Sequence, residues 1–444
     1  MTPEQPVGQT GSSPDDVRFT SWKEIAAHLG VSTKTAQRYE EEKGLPVKRI
    51  GNRVSVAAAE LAAWQAKVLT AKPWWQRVVP LRRIAIAQAL FLVFVLGAEA
   101  VRYWRDMPGP VAAVSWEGQA LVARDRLGRV AWRNTFDGTP LLPNISGDAP
   151  LFPRVSDLDS DGRPETLAVF THARRDVDGW DLSCLDHRGA LRWKLSNSES
   201  ISTVSGIFRP PFVIRAFTVF DSPERDRTKW VAATFVHYTD FPSVLLVADS
   251  RGTQRGQYWQ VGHMNDVVAL DINGDGIQEL IAGGVQHDVE RASLVVFDPR
   301  RVSGATQMAP GDPRAFIGKQ PGTQIRTVLF PRTQISLKLT RFNFVSNLFL
   351  QNGGLAVRVY ESVQIPASYL SYELNRDLTV RGVSLSVSFE DTVRELKRKR
   401  ELDEVFPERE VESLGAKVTY FEGPVPRGFL AALGQPAPQT GRPD

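Results

Sequence analysis

The sequence predicts a multidomain chain: a small α+β head, one transmembrane α-helix, and then a mainly-β repeat domain. Three observations predict this order. Residues 19–64 carry helix-capping and hairpin signals, a run of about twenty apolar residues follows at 84–104, and from residue 111 short apolar strands alternate with Gly, Asp and Pro turns. At 444 residues the chain is also too long for one ordinary domain.

The head comes first. In "SWKEIAAHLGVSTKTAQRYEEEKGLP", Ser21 followed by Glu24 is a capping box that opens a helix with Ile25, Ala26 and Leu29 on its inner face. Gly30 supplies a turn, and Ser32 caps a second helix that Gly44 and Pro46 stop at about Lys43. "VKRIGNRVSV" alternates around Gly51-Asn52 as a hairpin, and a last helix through Leu61 and Trp64 closes the core. Helix, turn, helix and hairpin make a winged helix-turn-helix, here spanning 18–69.

This stretch resembles the excisionase-like and MerR-type winged-helix domains. The resemblance covers about fifty residues and implies that the second helix enters the major groove of DNA while the hairpin wing follows the backbone. Thr33, Lys34, Thr35, Gln37 and Arg38 are then the groove-facing residues, since Gln and Arg can pair with base edges. Lys48, Arg49 and Arg53 on the wing would meet phosphates. The three carboxylates Glu40 to Glu42 must point away from DNA, or mark a head that contacts protein. Residues 1–83 carry thirteen basic against eight acidic residues, so the net charge of +4 belongs to this end.

A basic linker (70–83) leads to the apolar run. Twenty-one helical residues span about 31 Å, the thickness of a hydrocarbon core. Glu99 and Arg102, three apart, can pair or snorkel into the headgroups; Tyr103 and Trp104, with Trp74 and Trp75 on the other flank, supply interfacial anchors. Lys67, Lys72, Arg77, Arg82 and Arg83 precede the run, so the N-terminus is expected in the cytoplasm and the remainder outside. Ala98-Glu99-Ala100 also fits a cleavage pattern, but a folded domain ahead of it argues for an anchor.

Beyond the span, "LVARDRLGRVAW", "DLSCLDHRGALRW", "LLVADSRGTQRGQYW" and "LVVFDPRRVSG" share a strand, an aspartate (Asp125, Asp186, Asp249, Asp298) and a basic turn, mostly followed by a strand ending in Trp. Spacings of about fifty to sixty residues signal a β-propeller-like array over 111–425, with the part from Gly311 to Tyr372 degenerate and the blade number open. A charged helix around 394–404 is expected to cap it. Polar, proline-rich tails occupy 1–17 and 426–444.

Two insertions carry chemistry. "DLDSDGRPE" places Asp157, Asp159, Asp161 and Glu165 at positions one, three, five and nine; "DINGDGIQE" repeats this with Asp271, Asn273, Asp275 and Glu279. Alternate positions in a tight loop converge hard oxygen donors, which Ca2+ requires, and the carbonyls of Arg163 and Ile277 are further expected ligands. A strand, not a helix, follows each loop, which separates them from EF-hands. The pattern is similar to the calcium loops of FG-GAP or VCBS repeats, and that resemblance implies a structural ion.

No HExxH, GxSxG, phosphate loop or GxGxxG occurs, and His28, His172, His187, His237, His263 and His287 are scattered, so no enzyme is expected. The lone Cys184 excludes an intramolecular disulfide. The sequence thus predicts a membrane-anchored one-component transcription regulator: DNA inside, an extracytoplasmic ligand or protein outside, and a homodimer to read two half-sites. The alternative is an anchored adhesion or scaffold protein whose head binds protein.

Overall fold

A computed structural model describes residues 17–68, 81–135, 151–170, 181–309, 311–362, 367–402, 411, 413–426 and 429. The expected tails (but for their innermost residues), most of the basic linker with Trp74 and Trp75, and His172 lie outside the described residues. The protein is mostly antiparallel β-sheet with few helices, and it divides into two compact units, Met1–Met107 and Pro108–Asp444.

In the first unit, α1 (Trp22–Leu29) begins where the Ser21 hydroxyl accepts the Glu24 amide at 3.3 Å. The Glu24 carboxylate reaches back to the amide of Thr20 at 2.8 Å, one residue further out than a standard capping box. Gly30, at φ 67°, ends the helix, and Ser32 caps α2 (Thr33–Lys43), which Gly44 ends at φ 63°. The hairpin is β2 (Lys48–Ile50) and β3 (Arg53–Ala57), followed by α3 (Ala58–Val68). A short β1 (Arg18–Phe19), which the sequence pattern did not announce, pairs with the free edge of β3. Ile25, Ala26, Leu29, Ala36, Leu45, Val54, Val56, Leu61 and Trp64 form one buried core, and the Trp64 indole donates to the Lys43 carbonyl at 2.9 Å. Each fully buried aliphatic side chain here contributes about 1.5–3 kcal/mol, enough to hold so small a body together.

Helix α4 (Leu81–Asp106) follows. Its segment Arg83–Asp106 is exposed along its length and is long and apolar enough to cross a membrane. Arg102 reaches Asp106, four residues on, at 3.9 Å; the expected pairing of Arg102 with Glu99 is replaced by this i,i+4 contact at the polar end.

Among the described residues the second unit contains five sheets of three or more strands, in chain order. Sheet 1 is β4 (Val111–Glu117), β5 (Ala120–Asp125) and β6 (Val130–Thr135). Sheet 2 is β7 (Arg154–Ser156), β8 (Glu165–Phe170), β9 (Asp181–Leu185) and β10 (Leu191–Leu195). A hairpin, β11 (Ile201–Thr203) and β12 (Gly206–Phe208), precedes sheet 3: β13 (Phe212–Asp221), β14 (Lys229–His237), β15 (Pro242–Ala248) and β16 (Gln254–Val261). Sheet 4 is β17 (Met264–Leu270), β18 (Glu279–Gln286), β19 (Arg291–Phe297) and β20 (Arg326–Leu329). After α5 (Gln334–Leu339), sheet 5 is β21 (Phe344–Gln351), β22 (Gly354–Ser362), β23 (Ser368–Leu374) and β24 (Val380–Leu385). Helix α6 (Val387–Arg398) buries Phe389, Val393 and Leu396 beside sheet 5, starting some seven residues before the charged run that predicted it. The late β25 (Thr419–Glu422) completes sheet 4 by pairing with β20.

Each sheet packs on the next. Separate buried clusters join sheets 1 and 2, 2 and 3, 3 and 4, and 4 and 5. At three of the four junctions the first strands of neighbouring sheets touch: β4 on β7, β13 on β17, and β17 on β21; between sheets 2 and 3 it is β9 that meets β13. The shared aspartates explain themselves locally. Oδ1 of Asp125, Asp186 and Asp249 each accepts two amides, from residues two and four further on, at 2.8–2.9 Å, closing the turn before the next strand. In sheet 5 the same backbone turn recurs at Asn375, whose amide donates to the Thr379 carbonyl at 2.8 Å. Leu378, at φ 68°, stands there where Gly128, Gly189 and Gly252 stand in sheets 1 to 3. A regular four-stranded sheet thus occupies much of the stretch expected to be degenerate.

Candidate nucleic-acid face and cation loops

On the head, Lys34, Gln37 and Arg38 are exposed along α2, and with Ser32, Thr35 and Glu41 they line one shallow hollow. Thr33 is exposed at the first turn; Thr35 is half-buried, its amide and hydroxyl both held by Ser32 at 3.1 and 2.9 Å. The wing cations Lys48, Arg49 and Arg53 are exposed. The carboxylates do not simply turn away. Glu40 holds Arg49 at 2.9 Å, Glu42 lies 3.6 Å from Arg38, Glu60 lies 3.8 Å from Lys48, and Glu41 shares the hollow. One pair lies a helical turn apart on α2 and the other two join the hairpin to α2 and α3; exposed pairs of this kind contribute at most about 1 kcal/mol each. Among the described residues no ion pair engages Lys34 or Arg53, so these keep the least compensated positive charge.

The two acidic loops each connect the first two strands of their sheets, β7 to β8 and β17 to β18, and share one internal frame. The position-one aspartate accepts the position-six glycine amide at 3.0 Å, in Asp157–Gly162 and Asp271–Gly276 alike. Asp161 accepts the Arg163 amide at 2.7 Å, as Asp275 accepts that of Ile277 at 2.8 Å. The closing Glu165 and Glu279 accept the position-two amides of Leu158 and Ile272, both at 2.9 Å. Gly162 and Gly276 sit at φ 80° and 85°, a backbone region that favours glycine.

The loops differ in what faces inward. Oxygens of Asp157, Asp159 and Glu165 lie within 4.8 Å of one another, near enough to share an ion. Oδ1 of Asp157 and of Asp159 are buried without a hydrogen-bond donor, as metal-directed oxygens would be. Burial pushes the Glu165 carboxyl above its ordinary range, and the Asp159 charge adds to this; a cation would relieve both. Asp161 stays outside this trio. In the second loop Asn273 points its amide nitrogen, not the expected ligand oxygen, at Asp275 and Glu279, and its oxygen accepts the Asp275 amide. Burial raises the Glu279 carboxyl too, with Asp275 and Asp271 contributing repulsion. An arginine leans on each loop: Arg192 donates to Glu165 and Asp159, both at 2.9 Å or less, and Arg376 of sheet 5 pairs with Asp271 at 2.5 Å. Carboxylate and carbonyl oxygens in this frame suit Ca2+, better in the first loop than in the second.

Sheet 3 has a loop in the same place, 221–229, which the sequence reading passed over. Asp221 opens it, but Lys229 stands eight residues on, where the others have glutamate, and its ammonium meets Asp221 at 2.8 Å. The place of the closing carboxylate is thus taken by a cation that pairs with the opening aspartate. The only sequence signal was the nine-residue Asp-to-Lys window between two apolar strands.

The histidines are less scattered than their numbering suggests. His237 lies 3.3 Å from Asp240, His263 contacts the Asp240 carbonyl at 3.1 Å, and the rings of His263 and His287 are 6.1 Å apart. Burial, with His263 and Arg314 nearby, lowers His287 to about 3 and keeps it neutral.

No family model matches the chain, and no curated protein matches it. Among solved structures it is similar to the V. cholerae biofilm matrix protein Bap1, at 19% identity and TM-score 0.29 over 63% of this chain. It covers 36% of Bap1, about a third of that chain. A Bacteroides caccae protein of unknown function aligns at 9% identity and TM-score 0.24, over 63% of this chain and 93% of that one. Neither similarity reaches a shared fold.

Proposed function

We propose that the protein is a membrane-anchored one-component transcription regulator. Its N-terminal winged helix-turn-helix head reads DNA in the cytoplasm, α4 crosses the membrane once, and a calcium-stabilised, β-propeller-like array of the FG-GAP/VCBS kind senses a ligand or protein outside. The observation that carries this reading is the bare apolar helix placed in sequence between a basic, recognition-helix-bearing head and a β array with acidic loops. The excess of Lys and Arg before the helix supports the head being inside. Sheet-on-sheet packing in chain order, with first strands adjacent at three of the four junctions, supports the blade arrangement. Asp157, Asp159 and Glu165 would hold one ion and Asp271, Asp275 and Glu279 a second. Either would pin its loop between strands and serve no chemistry. The head works as a homodimer, because one small reader covers too little DNA for tight specific binding.

The ion pairs that engage Arg49, Arg38 and Lys48 favour a second reading, in which the head docks on protein and the chain is an adhesion or scaffold anchor. A DNA selection on the detergent-solubilised full-length protein, followed by a salt titration, separates the two. One enriched sequence, bound with an affinity that falls steeply with salt, supports the regulator. No binding at low salt supports the scaffold.

A further inference from the structure

We infer that the two acidic loops bind cations as a coupled pair, linked through the 221–229 turn of sheet 3, so that filling one raises the affinity of the other. The inference rests on the calcium reading given above and assigns it a regulation that separate structural sites would lack.

The turn lies between the loops and is bonded to both. On one side the Lys229 amide donates to the Leu158 carbonyl at 2.8 Å, and the Ser160 hydroxyl donates to the Arg227 carbonyl. On the other side the Arg225 guanidinium donates to the Asp275 carbonyl at 3.2 Å, and the Asp221 amide donates to the Gln278 side chain at 2.9 Å. Leu158 and Ser160 belong to the first loop, Asp275 and Gln278 to the second. Thus two bonds tie the turn to each loop, and all four engage a loop's backbone or a residue adjoining an expected ligand.

The turn can transmit because it is stiff. The Ser222 amide donates to the Thr228 carbonyl at 3.0 Å and the Arg225 amide to the Ser222 carbonyl at 3.1 Å, while Asp226 accepts both the amide and the hydroxyl of Thr228. Its two ends are also joined at the surface by the exposed Lys229–Asp221 pair. The contact residues Ser160, Arg225 and Arg227 all adopt left-handed φ, at 59°, 58° and 64°, a costly backbone state for residues with a Cβ. Such conformations persist where the surroundings over-determine them. Without a cation the crowded carboxylates of each loop repel. An ion in the first loop fixes Leu158 and Ser160, these fix the turn, and the turn holds Asp275 where the second ion needs it. Part of the ordering cost of the second site is then met in advance, which is positive coupling.

The test is a calorimetric titration of the full-length protein in detergent micelles with Ca2+ alone. Wild type should bind two ions with a Hill coefficient above 1. Asp159→Asn should remove the first ion and weaken the second at least fivefold, and Glu279→Gln should weaken the first by the same factor, since coupling is reciprocal. The double variant Arg225→Ala/Gln278→Ala removes both ties to the second loop and keeps every side-chain ligand. In it both ions should bind independently, and adding Asp159→Asn should leave the second site unmoved. Two ions in wild type whose affinities ignore each other overturn the coupling and leave the calcium reading standing. No ion in wild type at millimolar Ca2+ overturns both.

Discussion

Trp193 of sheet 2 lies against Gly252 in the turn of sheet 3, so closely that a Cβ on Gly252 would fall 2.5 Å from the indole Cγ. Its Nε1 also donates to the Ser250 carbonyl at 3.1 Å. Trp132 of sheet 1 meets Gly189 of sheet 2 in the same way, at 2.8 Å. The repeated tryptophan and the turn glycine are thus two halves of one contact between neighbouring sheets. Gly252→Ala should therefore destabilise the β array by about 2–4 kcal/mol, combining overpacking with strain at φ 81°. Gly128→Ala, with open space around it and φ 78°, should cost only about 1–2 kcal/mol. Denaturant unfolding of the two variants measures the difference; equal losses would refute the packing role of Trp193.

Glu361 is fully buried, accepting the Thr333 amide and hydroxyl at 3.1 and 2.7 Å and the Asn343 side chain at 2.9 Å. Burial pushes its carboxyl up from 4.5 to about 7. A carboxyl whose folded pKa lies above its unfolded value contributes most below the unfolded value and loses that contribution as pH rises. The array should therefore lose stability, on the order of 3 kcal/mol from this group, between about pH 4.5 and 7. Glu361→Gln should flatten this window, as Tm measured against pH will register. An unchanged slope would mean that the charge is compensated elsewhere.

Much of the head was legible from sequence because its signals are local. Ser21, Gly30, Ser32 and Gly44 cap α1 and α2 at the expected residues, and Gly51 turns the hairpin. Strand β1 was not, since two residues pairing with a distant edge leave no periodicity. In the array, Asp125, Asp186 and Asp249 could be aligned because side chain and glycine are both explicit. The fifth turn hid behind Asn375 and Leu378, which reach the same backbone geometry with different residues. The acidic loops were plain from spacing alone. Their inward contacts were not: Arg192 and Arg376 come from distant positions, and the Asn273 amide could face either way. The 221–229 loop was missed because lysine replaces the residue that marks the motif.

Glu40 restrains Arg49 through a paired contact at 2.9 Å. If the wing meets phosphates, Glu40→Gln should release this cation and steepen the salt dependence of DNA binding by about one unit of slope. Arg38→Ala should cost about 1–3 kcal/mol and relax sequence preference. Fluorescence anisotropy at three or more salt concentrations reports both. A Glu40→Gln variant with unaltered slope would remove Arg49 from the interface.

Calcium should raise the Tm of the β array, and chelation should reverse it. An ion present at a hundred times its Kd adds about 2.7 kcal/mol. Asp157→Ala should remove most of this gain, because Asp157 offers a buried oxygen with no other donor. Magnesium at equal concentration should shift Tm less, since it dehydrates reluctantly and demands tighter geometry. A Tm indifferent to calcium would leave these loops as plain Asx turns.

The most direct test of the anchored-regulator account is protease protection in intact cells, with the head and the β array detected separately. The account predicts that added protease removes the array from Pro108 onward while the head stays whole until the membrane is permeabilised. Digestion of the head with the array spared, or recovery of the whole chain in the soluble fraction without detergent, would contradict it.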